Sequence, residues 1–377
     1  MKNLSAEDLA FLHRFGFDDG LFAGWRDAVR HKRMSVANNR VRDRLLAPAP
    51  DQIADLPRTG SAEREEIEKL GAEAIRRGEL GVVILNGGMA TRFGGVVKGV
   101  VEVIDGRSFL ELKIRDALAA GSRFGGRVPV YLMNSFATDE ATRAHLAQHD
   151  NFGCEPEDLT CFTQFISVRM TTDGDIFEDA QGRISPHGPG HGDFAPALRA
   201  SGVLDRFLAR GGRYLLLANV DNLGARVCPA ILGMHIRSRA EVTVEVAPKW
   251  PGDVGGSPYL HRGKLQLVEQ IRYPEGFDAD IVDVFNTNTF HFSAEALQRD
   301  FELGWYYVEK KVDGRTAVQV ERLVGEMTRF LRSQFVRVKR TGTASRFFPI
   351  KAPDDLEAGR EEIATMYSEF ASPCDDE

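Results

Sequence analysis

The hydrophobic pattern alternates between short apolar runs and longer segments in which apolar residues recur at helical spacing. Short, continuous runs rich in branched residues are typical of strands buried on both faces of a sheet. They predict strands at residues 82–85, 128–133, 159–163, 214–218 and 242–247. Helical periodicity predicts helices at residues 61–77, 109–120 and 138–149. Strands that alternate with helices indicate a mainly parallel α/β sheet.

Further apolar runs at residues 265–269, 284–292 and 335–339 predict additional strands and a mixed central sheet. The first 46 or so residues are charged and periodic enough for helices. Residues 47–57 contain three prolines, which interrupt regular structure, and we interpret them as a linker. The expected division is therefore an N-terminal helical extension with its linker at residues 1–57, followed by one large domain at residues 58–377.

The charge balance excludes a general attraction to polyanions. A formal net charge of -7 and a pI near 5.8 favour neither nucleic acid nor an acidic membrane surface. Charged residues interrupt the N-terminal stretch where a signal peptide needs its apolar segment, and no apolar run approaches the length of a membrane span. We expect a cytoplasmic protein with neither a nucleic-acid partner nor a membrane partner.

A glycine-rich loop follows the first strong strand. Gly87 and Gly88 end the strand, two more glycines follow at 94 and 95, and Lys98 comes next. The spacing does not match the GxGxxG dinucleotide fingerprint, nor the P-loop, in which lysine precedes serine or threonine. Backbone N–H groups in such a loop can approach an anion or a base edge closely. A purely structural turn remains the alternative.

The stretch PHGPGHGD, residues 186–193, brings His187, His191 and Asp193 close together in the sequence. Histidines four residues apart share a face only on a helix, and the prolines and glycines prevent one here. The spacing therefore argues against a zinc site. A solvent-exposed loop is the alternative to a binding segment.

Six segments, in order, resemble the signatures of the UDP-glucose pyrophosphorylase family, also called UTP-glucose-1-phosphate uridylyltransferase. They are LNGGMATRFGG with Lys98, LMNSFATDE, GHGD, NVDNLGA, FNTN and FFPIKAPDDL. The resemblance implies a GT-A-like nucleotidyltransferase fold, with a mixed, mainly parallel central sheet flanked by helices, so that residues 58–377 would be the catalytic domain. It also implies that UTP and a sugar 1-phosphate are the substrates, that pyrophosphate is released, and that Mg²⁺ is required.

The implied chemistry is an in-line attack of the sugar phosphate on the α-phosphate of UTP. Positive charge and positioning dominate such a reaction, because the attacking phosphate is already ionised. By resemblance, Lys98 and Lys351 are the catalytic lysines and Asp221 holds the metal. A carboxylate is a suitable oxygen ligand for Mg²⁺. Surface lysines and a hydrogen-bonded turn at Asp221 are the structural alternatives.

The resemblance also divides the binding residues into two groups. Gln164 matches the residue that reads uracil, and an amide offers both the donor and the acceptor that this base requires. The nucleotide-binding residues would be Leu85, Gly87, Gly88, Gln164, Gly190, His191 and Asn219. The sugar-binding residues would be Gly256, Glu269, Asn286 and Asn288.

The chain departs from the family pattern in two places near these residues. Val97-Lys98-Gly99 stands where the family has Pro-Lys-Ser, and residues 254–258 read Val-Gly-Gly-Ser-Pro where the family has Lys-Gly-Gly-Thr-Leu. Glucose 1-phosphate is therefore expected from the resemblance to the family and is not deduced from these residues. The alternatives are another sugar 1-phosphate, of galactose or N-acetylglucosamine, and a catalytically inactive sugar-nucleotide-binding protein.

The sequence after Lys351 bears on assembly. Eukaryotic members of the family continue past the second lysine into a C-terminal β-helix, whereas residues 352–377 show no β-helix repeat. We expect a catalytic domain without that module, and no oligomer formed through it.

Overall fold

The structure, a computed structural model, describes residues 4–368. The helices are α1 (Ala6–His13), α2 (Asp19–Arg30), α3 (Val36–Asn39), α4 (Ala62–Arg76), α5 (Phe109–Phe124), α6 (Asp139–Gln148), α7 (Phe194–Ala200), α8 (Val203–Ala209), α9 (Pro229–Ser238) and α10 (Pro353–Met366). No helix within residues 4–368 combines the length and the apolar character that a membrane crossing needs.

The first nine strands are β1 (Ile53–Asp55), β2 (Leu80–Leu85), β3 (Met89–Ala90), β4 (Val96–Val97), β5 (Glu102–Ile104), β6 (Arg107–Ser108), β7 (Val130–Asn134), β8 (Leu159–Thr163) and β9 (Ser167–Val168). The other nine are β10 (Pro186–His187), β11 (Tyr214–Asn219), β12 (Val242–Pro248), β13 (Ser257–His261), β14 (Lys264–Val268), β15 (Val284–Ser293), β16 (Tyr306–Val312), β17 (Arg315–Glu321) and β18 (Ser333–Arg337).

Eight strands form the central sheet in the order β1-β18-β12-β15-β11-β2-β7-β8. Strand β15 runs antiparallel to both of its neighbours, and every other pair in this sheet is parallel. The expected mixed, mainly parallel sheet is confirmed. No β-helix occurs within the described residues, whose last regular element is α10.

Alternate residues of the central strands supply two hydrophobic cores, one on each face of the sheet. Val83 and Leu217 point into one core, and Val82 and Leu216 point into the other. Burial on both faces explains why β2 and β11 read as continuous apolar runs rather than as alternating ones. Each such side chain contributes roughly 1.5–3 kcal/mol by leaving water.

The strand predicted at residues 265–269 exists but does not join the central sheet. It is β14, which pairs only with β13, and the two are joined by Arg262 and Gly263, both with positive φ. A two-residue turn of this kind matches the twist of a hairpin. The hydrophobic pattern indicates a strand, but it does not identify the neighbour with which the strand pairs.

The expected linker is partly wrong, because its residues Ile53 to Asp55 form β1. This strand pairs in parallel with β18 at the edge of the central sheet, where Ile53 is buried. Three residues are too few to show a period of two, and the nearby prolines concealed the strand. The N-terminal helices do form, and Phe22 and Trp25 of α2 pack against Val318 of β17.

Candidate active site

The candidate site lies where parallel strands of the central sheet end. Residues that directly follow β2, β7, β8 and β11 meet at one edge, since the carboxyl ends of parallel strands point the same way. Leu85 and Asn219 are paired across β2 and β11, which places Gly87 next to the segment that carries Asp221. The Oγ of Ser135, just beyond β7, donates a hydrogen bond to the carbonyl of Gly87 at 3.0 Å.

The glycine loop returns Lys98 to this edge. Strands β3 and β4 pair as a small hairpin, and the N–H of Lys98 donates to the carbonyl of Gly88 at 3.2 Å. The Nζ of Lys98 then forms an ion pair with Asp221 Oδ2 at 2.9 Å. Both side chains are largely buried, so a solvent-exposed lysine and a free turn carboxylate are excluded as descriptions of these residues.

The glycine after Lys98 has a steric reason. A Cβ at Gly99 would collide with the Oδ1 of Asn86 and with Leu110. Asn86 is fully buried, donates to Asn134 and Thr142, and its Oδ1 has no hydrogen-bond partner within residues 4–368. The Val-Lys-Gly sequence therefore fits this loop, in which no side chain can follow the lysine.

Lys351 approaches the same aspartate along the main chain. The N–H of Ile350 donates to the carbonyl of Asp221 at 3.0 Å, and the N–H of Lys351 donates to Asp355 at the start of α10. The Lys351 side chain is exposed. The charge of Lys351 also acts on a second carboxylate, Asp253. Burial raises the pKa of Asp253, but hydrogen bonds from Arg340 and Trp250 and the charge of Lys351 outweigh burial and lower this pKa overall.

Asp221 fits the requirements of a magnesium ligand. Its side chain is 23% exposed beside the glycine loop, and Mg²⁺ is often held by one or two carboxylates together with water and substrate phosphates. Within the described chain no group of three or more His, Cys, Asp or Glu residues is arranged to hold a metal ion by itself. The single carboxylate of Asp221 suits a metal ion whose other ligands come from the phosphates of the substrates.

The three residues of the rejected zinc motif make separate contacts. His187 bonds the carbonyl of Gly188, and burial lowers its pKa to about 3. His191 Nδ1 accepts from the N–H of Val324 at 3.0 Å, and burial lowers its pKa, so the ring is neutral. Asp193 is buried against Arg322.

Gln164 lies between two glycine segments. A Cβ at Gly87 would approach its Nε2 to 2.8 Å, and one at Gly188 would come closer still. Both glycines therefore give the amide room at the nucleotide edge. Ser135 and Gly188 were not singled out from the sequence, although each lies within a quoted segment, LMNSFATDE and PHGPGHGD respectively.

The GHGD turn is hydrogen-bonded to the segment that follows β8 and carries Gln164. Asp193 Oδ2 accepts from the N–H of Phe165, which follows Gln164, and Asp193 Oδ1 pairs with Arg322 at 2.5 Å. Gly190 has φ +94, and a Cβ there would meet the Arg322 carbonyl at 2.5 Å. The described residues show no hydrogen bond from His191 to Lys98 or Asp221, so its predicted place near the phosphates stays a prediction.

The expected sugar residues form a second group. Asn286 donates its N–H to the carbonyl of Gly256 at 2.8 Å and its side-chain amide to Glu269 at 3.4 Å. A Cβ at Gly256 would lie 2.6 Å from Glu269 Oε2. Asn288 donates to Asn219 Oδ1 at 2.9 Å. Amide and carboxyl groups thus extend from the nucleotide edge to Glu269.

Glu269 has an unusual environment. Burial raises the pKa of its carboxyl to about 7, the Asn286 amide opposes the shift, and the nearby Glu326 adds to it. The carboxyl can therefore donate or accept a hydrogen bond near neutral pH. Asn288, with φ +56, leaves its Oδ1 buried and without a partner in the described chain.

The sequence is similar to that of known proteins. The family model for UTP-glucose-1-phosphate uridylyltransferase matches residues 31–370. The enzyme of that name from Solanum tuberosum is 34% identical over 343 residues, which cover 87% of this chain and 68% of the relative. The one from Hordeum vulgare is 33% identical over 79% of this chain and 65% of its own length. The chain thus spans about two thirds of such relatives.

Solved structures share the fold. The UDP-N-acetylglucosamine pyrophosphorylase of Trypanosoma brucei superposes with a TM-score of 0.76 at 22% identity, covering 96% of this chain and 80% of that one. The UDP-glucose phosphorylase of the same organism gives 0.74 at 22% identity, covering 96% and 78%. At this identity the likeness concerns the fold alone.

Proposed function

Because the chain belongs to the UTP-glucose-1-phosphate uridylyltransferase family, we propose that it joins UTP to glucose 1-phosphate and releases pyrophosphate, forming UDP-glucose. One observation supports this proposal most strongly. The Lys98–Asp221 ion pair lies at the strand edge, with Gln164 on one side and the Asn219-to-Glu269 group on the other. One edge therefore offers phosphate, base and sugar contacts.

The reaction requires positioning and charge compensation rather than an activated nucleophile. Lys98 would exchange its contact with Asp221 for the phosphates of UTP. Lys351, exposed just before α10 on the segment hydrogen-bonded to Asp221, would neutralise charge that develops on the leaving pyrophosphate. Lysine suits both tasks because its ammonium group is a point charge on a flexible stem.

Asp221 is the residue that would hold Mg²⁺. When bound, the ion supplies neutralisation of the two reacting phosphates and Lewis-acid polarisation. The carboxylate of Asp221 needs release from Lys98 for this role, so binding of the nucleotide phosphates to the lysine and of metal to the aspartate should support each other.

Uracil recognition falls to Gln164 and the glycine segments around it. The amide can donate to a carbonyl of the base and accept from its N–H. Backbone groups of Gly87 and Gly88 are unobstructed by side chains, which allows close approach of the nucleotide. Adenine presents a different donor and acceptor pattern at this edge, so we expect a preference for UTP.

Sugar binding falls to Gly256, Glu269, Asn286 and Asn288. Carboxyl and amide groups suit hydroxyls, which both donate and accept hydrogen bonds. A second candidate substrate is the 1-phosphate of galactose or N-acetylglucosamine, because Val254, 73% exposed, stands in this loop where the family pattern has lysine. A cytoplasmic location and the lack of a nucleic-acid partner belong to the proposal as predictions.

The direct experiment is a pyrophosphate-release assay of the purified protein with Mg²⁺. It pairs each of UTP, ATP and dTTP with the 1-phosphates of glucose, galactose and N-acetylglucosamine. We expect UTP with glucose 1-phosphate to give the highest kcat/KM. A better rate with ATP would contradict the role of Gln164, a better rate with dTTP would contradict the preference for UTP, and no turnover with any pair would contradict the activity.

A further inference from the structure

A second charged cavity lies outside the proposed catalytic edge. It has a volume of about 560 Å³ and lies between the last turns of α5, the start of α9 and the end of α10. Four arginines and a single carboxylate supply its charged lining: Arg107, Arg115, Arg123, Arg226 and Asp116. This local excess of positive charge contrasts with the formal net charge of -7 of the whole chain.

Two of the arginines are compensated by acids on their own elements. Arg115 pairs with Glu111 at 2.8 Å, and Arg107 pairs with Asp105 at 3.2 Å. Arg123 has no ion pair with any residue of the described chain. The single carboxylate, Asp116, already accepts the N–H of Val227 at 2.8 Å.

Arg226 is the most constrained group in the wall. It is 4% exposed, its Nη1 donates to the carbonyl of Met366, and its guanidinium lies over the ring of Tyr367. Its Nη2 is buried and has no hydrogen-bond partner within residues 4–368. Leaving such a charged donor unsatisfied is costly, and an acceptor bound in the cavity would remove that cost.

The start of α9 adds a further preference for negative charge. This ten-residue helix begins at Pro229 in the cavity wall, and within residues 4–368 no side-chain hydrogen bond caps its N-terminus. The positive end of the helix dipole therefore adds to the field of the arginines.

We propose that this cavity binds a small phosphate-type oxyanion, held by Arg123 and Arg226 at the N-terminus of α9. Guanidinium groups match the oxygens of a tetrahedral oxyanion through paired, charge-assisted hydrogen bonds. The cavity is distinct from the phosphate contacts proposed at Lys98 and Lys351. Segment 222–226 joins the cavity to Asp221, and the carbonyls of Asn222 and Ala225 in it accept hydrogen bonds from buried Lys113.

The test is calorimetric titration of the full chain with inorganic phosphate, at constant ionic strength set with chloride. Arg123→Gln is the main variant, because Arg123 is exposed and its loss should leave folding intact. Arg206→Gln, an exposed arginine on α8, is the control for loss of one positive charge. Lys351→Ala reports phosphate binding at the catalytic edge instead.

We expect Arg123→Gln to weaken phosphate binding about tenfold, the value of one charge-assisted hydrogen bond. Arg206→Gln should bind as the unchanged protein does, and Lys351→Ala should retain the phosphate binding that Arg123→Gln weakens. Absence of phosphate binding, equal affinity in Arg123→Gln, or loss of all phosphate binding in Lys351→Ala would each overturn the proposal.

A further variant separates free phosphate from carboxylates of the chain itself. Asp375, Asp376 and Glu377 are changed together to amides in the full-length protein. We expect unchanged phosphate affinity. A tenfold gain in this variant would show that these carboxylates compete with phosphate for the cavity and would support the assignment to an oxyanion, whereas a tenfold loss would overturn it.

Discussion

Two residues at the strand edge, Lys98 and Asp221, form a pair of opposite charges. Lys98 and Asp221 neutralise each other in this structure, and each is predicted to contact a substrate phosphate or a metal during the reaction. Neither role was derivable from spacing alone, because the glycine loop matches no common phosphate-binding motif. The resemblance identified both residues, and the fold brings them within 2.9 Å.

Lys98→Ala tests the proposed phosphate contact. Its charge matters most where negative charge develops, so we expect turnover to fall by about 10²-fold to 10³-fold with a smaller change in the KM for sugar phosphate. Steady-state kinetics measure both. Lys69→Ala, on the exposed face of α4, should leave the kinetics unchanged. Turnover near normal in the Lys98 variant would place the catalytic lysine elsewhere.

Glu269 predicts a pH-dependent stability difference. Its folded pKa of about 7 lies above the ordinary value of 4.5, so between these values the folded protein binds more protons than the unfolded one. The carboxylate therefore destabilises the fold increasingly as pH rises through this window. Glu269→Gln should be more stable than the unchanged protein at pH 8, on the order of 1–3 kcal/mol, and nearly equal at pH 4.5.

Urea unfolding of both proteins at pH 4.5, 6, 7 and 8 measures this difference. The comparison cancels the contributions of the other titrating groups, since they are common to both proteins. A difference that stays constant across the series, or that favours the glutamate at pH 8, is incompatible with a raised pKa at Glu269.

Helices α4 and α9 cross closely enough to require glycine at the contact. A Cβ at Gly71 would overlap the carbonyl of Pro229, and one at Gly233 would overlap the carbonyl of Ile67. This contact fixes α9, and through it the segment between Asp221 and Pro229. A glycine inside a helical pattern gave no indication of its partner, which depends on packing that sequence periodicity does not encode.

Gly71→Ala should therefore destabilise the protein by about 1–3 kcal/mol or more, because one helix must shift to accommodate the added carbon. Thermal and urea unfolding measure the loss. The matched change Gly24→Ala, in α2, meets no atom within 4 Å and should raise stability by about 0.4–1 kcal/mol. Equal effects of the two substitutions would mean that the helices separate without cost.

Across the whole molecule, the central sheet was predictable and some of its boundaries were not. The strands that read as apolar runs are buried on both faces, so their composition alone identifies them. Strand β1 was missed because its pairing partner β18 lies far away in the sequence. Strand β14 was predicted, but the pattern did not show that it pairs with β13 outside the central sheet. The candidate site followed the same rule: Gln164 and Asp221 follow predicted strands, whereas Ser135 and Gly188 support them from neighbouring turns.

The central claim is that this edge transfers a uridylyl group with a metal held by Asp221. Asp221→Asn tests it most directly, because the change keeps the size of the side chain, and the Asp221 carbonyl that accepts from Ile350 is unaffected. Asp313→Asn, in the exposed turn between β16 and β17, is the control. The measurement is pyrophosphate release from UTP and glucose 1-phosphate across a Mg²⁺ titration, alongside the thermal midpoint. We predict a folded protein with activity lowered about 10²-fold to 10³-fold at ordinary Mg²⁺, and partial recovery at higher Mg²⁺. A variant with a lowered midpoint whose folded fraction turns over normally would contradict the account, and Asp221 would then be a turn-forming residue.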